Sequence, residues 1–249
     1  MVTKLAVVGG GMALFLALGA LHPRVRPAID WVETRVNVIT GALLFALRTG
    51  ILLLAERAIE AFGGGAIPIT GLHLAAQAVL CFVLLDFARY WVHRADHRFP
   101  FLWQFHAVHH SSEHLNATSG LRMHWVDILQ LTAIPVVLFG FLFEVDGHVL
   151  LGVLLVGSVF DAYQHANLAM DMLRPWNRAW DAVFNNPHFH CWHHTRDGDK
   201  KDGNYGQALT IWDRLFGTEV TESRPPESYG IEQPLELSVV GMQRLRPRK

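Results

Sequence analysis

Residues 86–124 read DFARYWVHRADHRFPFLWQFHAVHHSSEHLNATSGLRMH, and this stretch joins the end of a long apolar run to a crowd of histidines. Six of the chain's fifteen histidines fall in positions 93–114, a density that a solvated helix face does not require. His93 and His97 are four apart, and His106 is followed at three and four positions by His109 and His110. On a helix those offsets put imidazoles on one face. The same three-and-four pattern returns in His190, His193 and His194, so two separated segments carry one design.

Neutral imidazole binds iron, zinc, copper or nickel, and a helical turn that offers two or three rings side by side prepares the coordination. The set His93, His97, His106, His109, His110, His190, His193 and His194 exceeds what one four-coordinate zinc needs. Two metals in one imidazole-rich cage is the simpler count. His165, in the sequence QHAN, and His124 are the best additional ligands, with His114 as a third. His188 sits in the late cluster but outside the repeated offsets. Asp86, Asp96, Asp127 and Asp161 are available to hydrogen-bond ring N–H groups. His22, His73 and His148 stand alone and are read as packing residues.

Upstream, residues 70–91 are uncharged until Asp86, and about 20 residues at roughly 1.5 Å each cross a hydrocarbon core of roughly 30 Å. Residues 36–55 form a second apolar run, interrupted by Arg48, which must snorkel or find a partner. Gly63, Gly64, Gly65 and Pro68 separate the two. Residues 5–21, after Lys4, are read as a retained apolar helix rather than a signal peptide, and residues 22–35, with Pro23 and Pro27, as an interfacial connector. Downstream, the runs 126–143 and 148–160 flank the acidic turn Glu144, Val145, Asp146, Gly147. The second is short, so a tilted or re-entrant hairpin is expected. That hairpin returns the chain beside its first histidine cluster.

The fold class is therefore all-α: a polytopic membrane bundle of about four to five apolar helices with a cytosolic histidine-rich helical cap. Residues 1–35 precede a catalytic domain over 36–222, and residues 223–249, rich in Pro and Arg, look like a loosely ordered tail. Arginines and lysines gather on the histidine side while the hairpin tip is acidic, which puts the histidines on the cytoplasmic face. Trp91, Trp103, Trp125, Trp192 and Trp212 read as an interfacial belt.

Composition agrees: 51% of residues are hydrophobic, 17% are charged and the net charge is -1, which fits a membrane protein and leaves no basic field for nucleic acid. Cys81 and Cys191 make neither a disulfide framework nor a Cys-x-x-Cys zinc site. His-Glu-x-x-His, Glu-x-x-His, phosphate loops and dinucleotide fingerprints do not occur. Reducing equivalents, if used, must come from a partner.

In order, His93-x3-His97, His106-x2-His109-His110 and His190-x2-His193-His194 resemble the three histidine boxes of the sterol desaturase / fatty acid hydroxylase superfamily, the membrane histidine-box di-iron oxygenases. The segments DFARYWVHRADH, WQFHAVHHSSEHLNATSGLRMH, YQHANL, FNNPHFHCWHH and NYGQALTIWDRLFGT look like its bacterial members and its ether-lipid monooxygenase branch. The likeness covers roughly residues 35–220. The last box departs from the family pattern: Phe189 replaces the first histidine of a doublet, and His188 stands one place earlier. The resemblance implies two non-haem irons, O2 as co-substrate, and hydroxylation or desaturation of a C–H bond in a fatty acyl, sterol or ether lipid. It implies an external electron donor of cytochrome b5, ferredoxin or reductase type, and no catalytic side chains beyond the metal ligands. Two other readings use the same histidines: a membrane zinc hydrolase that acidifies a bound water, and a non-enzymatic metal-binding membrane protein. The latter predicts ionisable residues in mid-span, and apart from Arg48 the spans supply few.

Overall fold

Helix α1, Val2–Leu21, is apolar and lies along α6, Gly147–Gln164, with the Phe15 and Tyr163 rings 5.3 Å apart. The computed structural model describes residues 2–27, 29–198 and 200–248; the side chains of residues 2–5, Lys4 among them, lie outside the described residues. Helix α2, Trp31–Phe62, begins on Asp30, whose carboxylate accepts from the Glu33 amide at 2.9 Å. The expected start was residue 36. The helix begins at Trp31 because its polar first turns, Glu33, Thr34 and Asn37, are buried against protein rather than left as a connector.

Strand β1, Ile67–Pro68, pairs in parallel with β2, Phe143–Glu144. It thereby ties the segment after α2 to the turn before α6, and Gln77 accepts from the Asp146 amide at 3.0 Å at the same end. Helix α3, Leu74–Arg98, runs from there to the histidines. After α4, Pro100–His110, and a 3-10 turn, Ser119–Leu121, the chain re-enters the bundle as α5, Trp125–Val136. Pro135 offers no N–H to the turn before it, and from Val137 to Leu142 the helix widens into a π-helix.

Among the described residues four helices are long and apolar enough to cross a membrane: α2, α3, α5 with its π extension, and α6. The return arm of the hairpin is thus longer than the run 148–160 suggested. Its last turn, with Asp161 and Gln164, is polar because it enters the histidine cap. Between the helices pack Ile69, Cys81, Leu85, Ile134, Phe139 and Val153. Their outer faces expose Leu53, Leu54, Val79, Val137 and Val156, an apolar surface that suits lipid and would aggregate in water. The chain is an integral membrane protein with a helical cap.

Short helices complete that cap: α7, Pro175–Asp181, α8, Pro187–His193, α9, Ile211–Phe216, and α10, Val239–Gln243. Residues 223–248 do not form the loose tail expected. Tyr229 and Met242 are buried, Tyr229 bridges to Thr195, and Gln243 accepts from the Trp125 amide while donating to the Met123 carbonyl. A few well-placed apolar residues and backbone pairs hold a segment whose composition reads as disordered. Trp192 and Trp212 also leave the expected belt. Trp192 is buried and donates to the Arg224 carbonyl, and Trp212 donates to Asp86.

Candidate metal centre

The last turns of α3 carry His93 and His97, α4 carries His106, His109 and His110, His165 caps the C-terminus of α6, and α8 with its cap supplies His190, His193 and His194. These nine histidines fall into two groups. The first is His93, His97, His106, His110 and His193; the second is His109, His165, His190 and His194. Within each, the donor atoms lie within 4.8 Å of one another. The partition follows from helix geometry. Residues four apart share a face, so His93 joins His97, His106 joins His110, and His190 joins His194, whereas the adjacent pairs His109/His110 and His193/His194 diverge into different groups.

Backbone carbonyls set the ring protons. Nδ1–H of His93 donates to Tyr205 O at 2.8 Å, that of His193 to Gly203 O at 2.8 Å, that of His109 to Arg122 O at 3.2 Å, and that of His165 to Asp161 O at 2.7 Å. A carbonyl can only accept, so each of these rings presents a bare Nε2 lone pair inward. The Nε2 atoms of His93, His106 and His193 are buried without a hydrogen-bond partner. Nε2 of His109 faces Nε2 of His165 at 3.3 Å, lone pair against lone pair, which is a repulsion and not a hydrogen bond. The His97–His110, His165–His190 and His190–His194 Nε2 pairs are each 3.1 Å apart. Two imidazole nitrogens bound side by side to one metal at about 2.1 Å lie about 3.0 Å from each other. Unpaired buried acceptors are costly, and a cation between them removes the cost. The donor set fits two metal ions.

Burial, followed by the neighbouring histidines, holds His109, His110, His190 and His194 well below the ordinary histidine range. Burial pulls His193 from 6.5 down to about 3. The rings are therefore neutral, as ligands must be. The sign for stability follows: His193 stays unprotonated in the fold while the unfolded chain takes up a proton below 6.5, so stability is full above that pH and falls as pH drops towards 3. The denaturation midpoint of the metal-free protein in detergent should accordingly decrease between pH 7 and pH 5; a midpoint flat over that interval contradicts the assignment of neutral buried rings.

Other expected residues stand elsewhere. His124 caps α5: its Nδ1 accepts from the Val126 amide at 3.2 Å and its Nε2 bonds the Gln243 carbonyl at 3.1 Å, so both nitrogens are engaged outside the groups. His114 is partly exposed, 3.8 Å from Asp30. His188 bonds the Glu222 carbonyl at 2.7 Å. Asp86 touches no imidazole. It accepts from the Ala208 and Leu209 amides and the Trp212 indole, and so holds the segment whose Gly203 and Tyr205 carbonyls orient His193 and His93. Asp161 reaches His165 mainly through its backbone carbonyl. Asp127 lies 3.7 Å from His106 Nδ1, and Asp96 accepts from Gln130. Asp202, not expected from the sequence, meets His97 Nδ1 at 3.1 Å and is half-exposed. It lies just before the family-like segment NYGQALTIWDRLFGT, and only turn composition marked it.

The cap is latched to the bundle at the first turns of α2. Glu33 accepts from Arg122 Nη2 at 2.8 Å, from the Ser112 hydroxyl at 2.8 Å and from the Glu113 amide at 3.1 Å, and Arg122 Nε donates to Asn37 at 2.7 Å. Gly120 then lets the 3-10 turn press on α6, since a Cβ there would sit 2.0 Å from Asp161 Oδ2. Both groups border one cleft of about 580 Å³. His93, His106, His109, His165 and His190 form its metal-side wall, and Val92, Met123 and Leu131 its apolar part.

The family model for fatty acid hydroxylases matches residues 78–218, which includes all nine histidines. The chain is 34% identical over 155 residues to the ornithine lipid hydroxylase OlsE of Rhizobium tropici, a match covering 61% of this chain and 44% of that protein. It is 31% identical over 154 residues to alkylglycerol monooxygenase of Caenorhabditis elegans (61% and 29% covered), and 30% identical over 156 residues to the Homo sapiens protein of that name (62% and 33%). The chain thus spans less than half the length of these relatives. No solved structure matches it.

Proposed function

The chain belongs to the fatty acid hydroxylase family, and on that premise we propose that it is a membrane di-iron oxygenase that uses O2 to hydroxylate or desaturate a C–H bond of a lipid. The observation that carries this reading is the ring of inward Nε2 lone pairs beside a cleft that opens among membrane helices. His93, His97, His106, His110 and His193 would hold one iron, and His109, His165, His190 and His194 the other. Iron supplies the oxidation of an unactivated C–H bond, which no side chain can perform. The residues themselves do three things. Backbone carbonyls keep His93, His109, His165 and His193 in the Nδ1–H form, burial keeps water away, and the cleft between α3, α5 and α6 brings a lipid against the histidines.

Electrons come from an external donor of cytochrome b5, ferredoxin or reductase type. In support, half-exposed Asp202 touches His97, so one side chain separates the first group from the surface. The histidine end faces the cytoplasm, a reading supported by Arg94, Arg98, Lys200 and Lys201 at that end and by Glu144 and Asp146 at the other. The names of the relatives specify an ornithine lipid and an alkylglycerol as substrates; the class carried over to this chain is a lipid. The test is lipid mass spectrometry of cells with and without the protein. A lipid gaining one oxygen or losing two hydrogens is expected, and identical lipid profiles contradict the proposal.

A further inference from the structure

Helix α3 carries an arginine one turn towards the membrane from His93. Arg89 lines the cleft that both histidine groups border, and it also borders a narrow crevice between Phe82, Leu85 and Val153. It stands where the two spaces meet. Across from it, Gly157 of α6 leaves the room: a Cβ there would lie 3.2 Å from Arg89 Nη1.

Among the described residues Arg89 forms no ion pair and donates no hydrogen bond, and its Nε is buried without a partner. The two carboxylates whose charge favours the guanidinium are Asp86 and Asp161, and neither is hydrogen-bonded to it. Asp86 accepts from two amides and an indole; Asp161 faces His165 at 3.6 Å and Gln164 at 3.4 Å. Arg48 of α2 adds a like charge in place of a countercharge. A guanidinium within a membrane helix, open to a cavity and without a hydrogen-bonded partner, is retained at a cost that binding can offset. Its planar fork matches a carboxylate or a phosphate with two parallel hydrogen bonds.

Given the reading of the cleft as a lipid site, we infer that Arg89 binds the anionic oxygen group of the lipid substrate, a carboxylate or a phosphate. Four residues of helix separate Arg89 from His93, about 6 Å along the axis. The oxidised carbon therefore lies within a few bonds of the anionic group, near the polar end of the lipid and not far down an acyl chain. The apolar part of the cleft, Val92, Met123 and Leu131, accommodates the apolar remainder.

The test uses the full chain in neutral detergent, with two matched pairs of probes measured by native mass spectrometry: palmitate against hexadecanol, and dioleoylphosphatidic acid against dioleoylglycerol. The wild type should bind the anionic member of at least one pair about tenfold more tightly, and the pair that shows the preference identifies carboxylate or phosphate. Arg89→Gln should abolish the preference, and Arg89→Lys, which keeps the charge without the fork, should reduce it about threefold. Arg98→Gln, at the exposed end of α3, should leave it unchanged. Equal binding within both pairs by the wild type overturns the inference, as does a preference undiminished in both Arg89 variants; if Arg89→Gln does not fold, Arg89→Lys decides. Metal content is measured on each sample. A metal-loaded, lipid-oxidising protein without the preference overturns the Arg89 assignment alone, whereas a protein that oxidises no lipid overturns the function.

Discussion

Replacing His193 with alanine is expected to strip the first histidine group of its metal and abolish lipid oxidation while the membrane helices remain folded. His193 is fully buried, and its ring centroid lies 4.3 Å from that of His93, 4.5 Å from His110 and 4.7 Å from His97, which makes it the hub of its group. Its partner is the Gly203 carbonyl, so no other donor replaces it. Removal of an outer hydrogen-bond partner of a ligand already costs about 10- to 100-fold in metal affinity or activity, and loss of the ligand itself should exceed about 100-fold. Metal content should fall by about one ion per chain, with the far-ultraviolet circular dichroism unchanged. His22→Ala, on an exposed residue outside both groups, should be near neutral. Equal effects of the two substitutions would remove the basis of the two-group assignment.

The second large effect is expected at the latch. Arg122 and Glu33 are 1% and 3% exposed, and 2.8 Å apart. Arg122→Met leaves the Glu33 carboxylate buried with amide and hydroxyl donors but no countercharge, a loss of about 3–5 kcal/mol of stability. The substitution also loosens the segment whose Arg122 carbonyl holds His109 Nδ1. Metal should therefore be lost from the second group before the first. Pairing Arg122→Met with Glu33→Gln should recover part of the stability, because no charge is then stranded. A double variant no more stable than Arg122→Met alone contradicts this account of the pair.

Much of this centre was legible in the sequence because imidazoles at fixed helical offsets leave a periodic mark. The offsets of three and four gather His106, His109 and His110 into one cluster, and the returning hairpin brings His165 beside it; the division of that cluster between two groups belongs to the fold. What supports the rings was not legible. The Gly203, Tyr205 and Arg122 carbonyls that orient His193, His93 and His109 leave no mark in side-chain letters, since every residue owns a carbonyl and only the fold aims it. Polarity misled in three places for one reason. Glu33 and Thr34 read as part of an interfacial connector, residues 223–249 as a loose tail, and His124 as an additional ligand, yet each finds its hydrogen bonds on a distant segment: the loop after α4, the cap surface, and Gln243 of α10. Hydropathy records how polar a residue is and not whether a partner meets it. The bundle itself was legible because apolar length alone decides a span.

The central claim is that two groups of neutral histidines hold a redox-active metal pair. Metal analysis of anaerobically purified protein, combined with O2 uptake on reduction, tests it most directly. The account predicts about two irons per chain and O2 consumption that requires them; stoichiometric zinc with no response to reduction would contradict it.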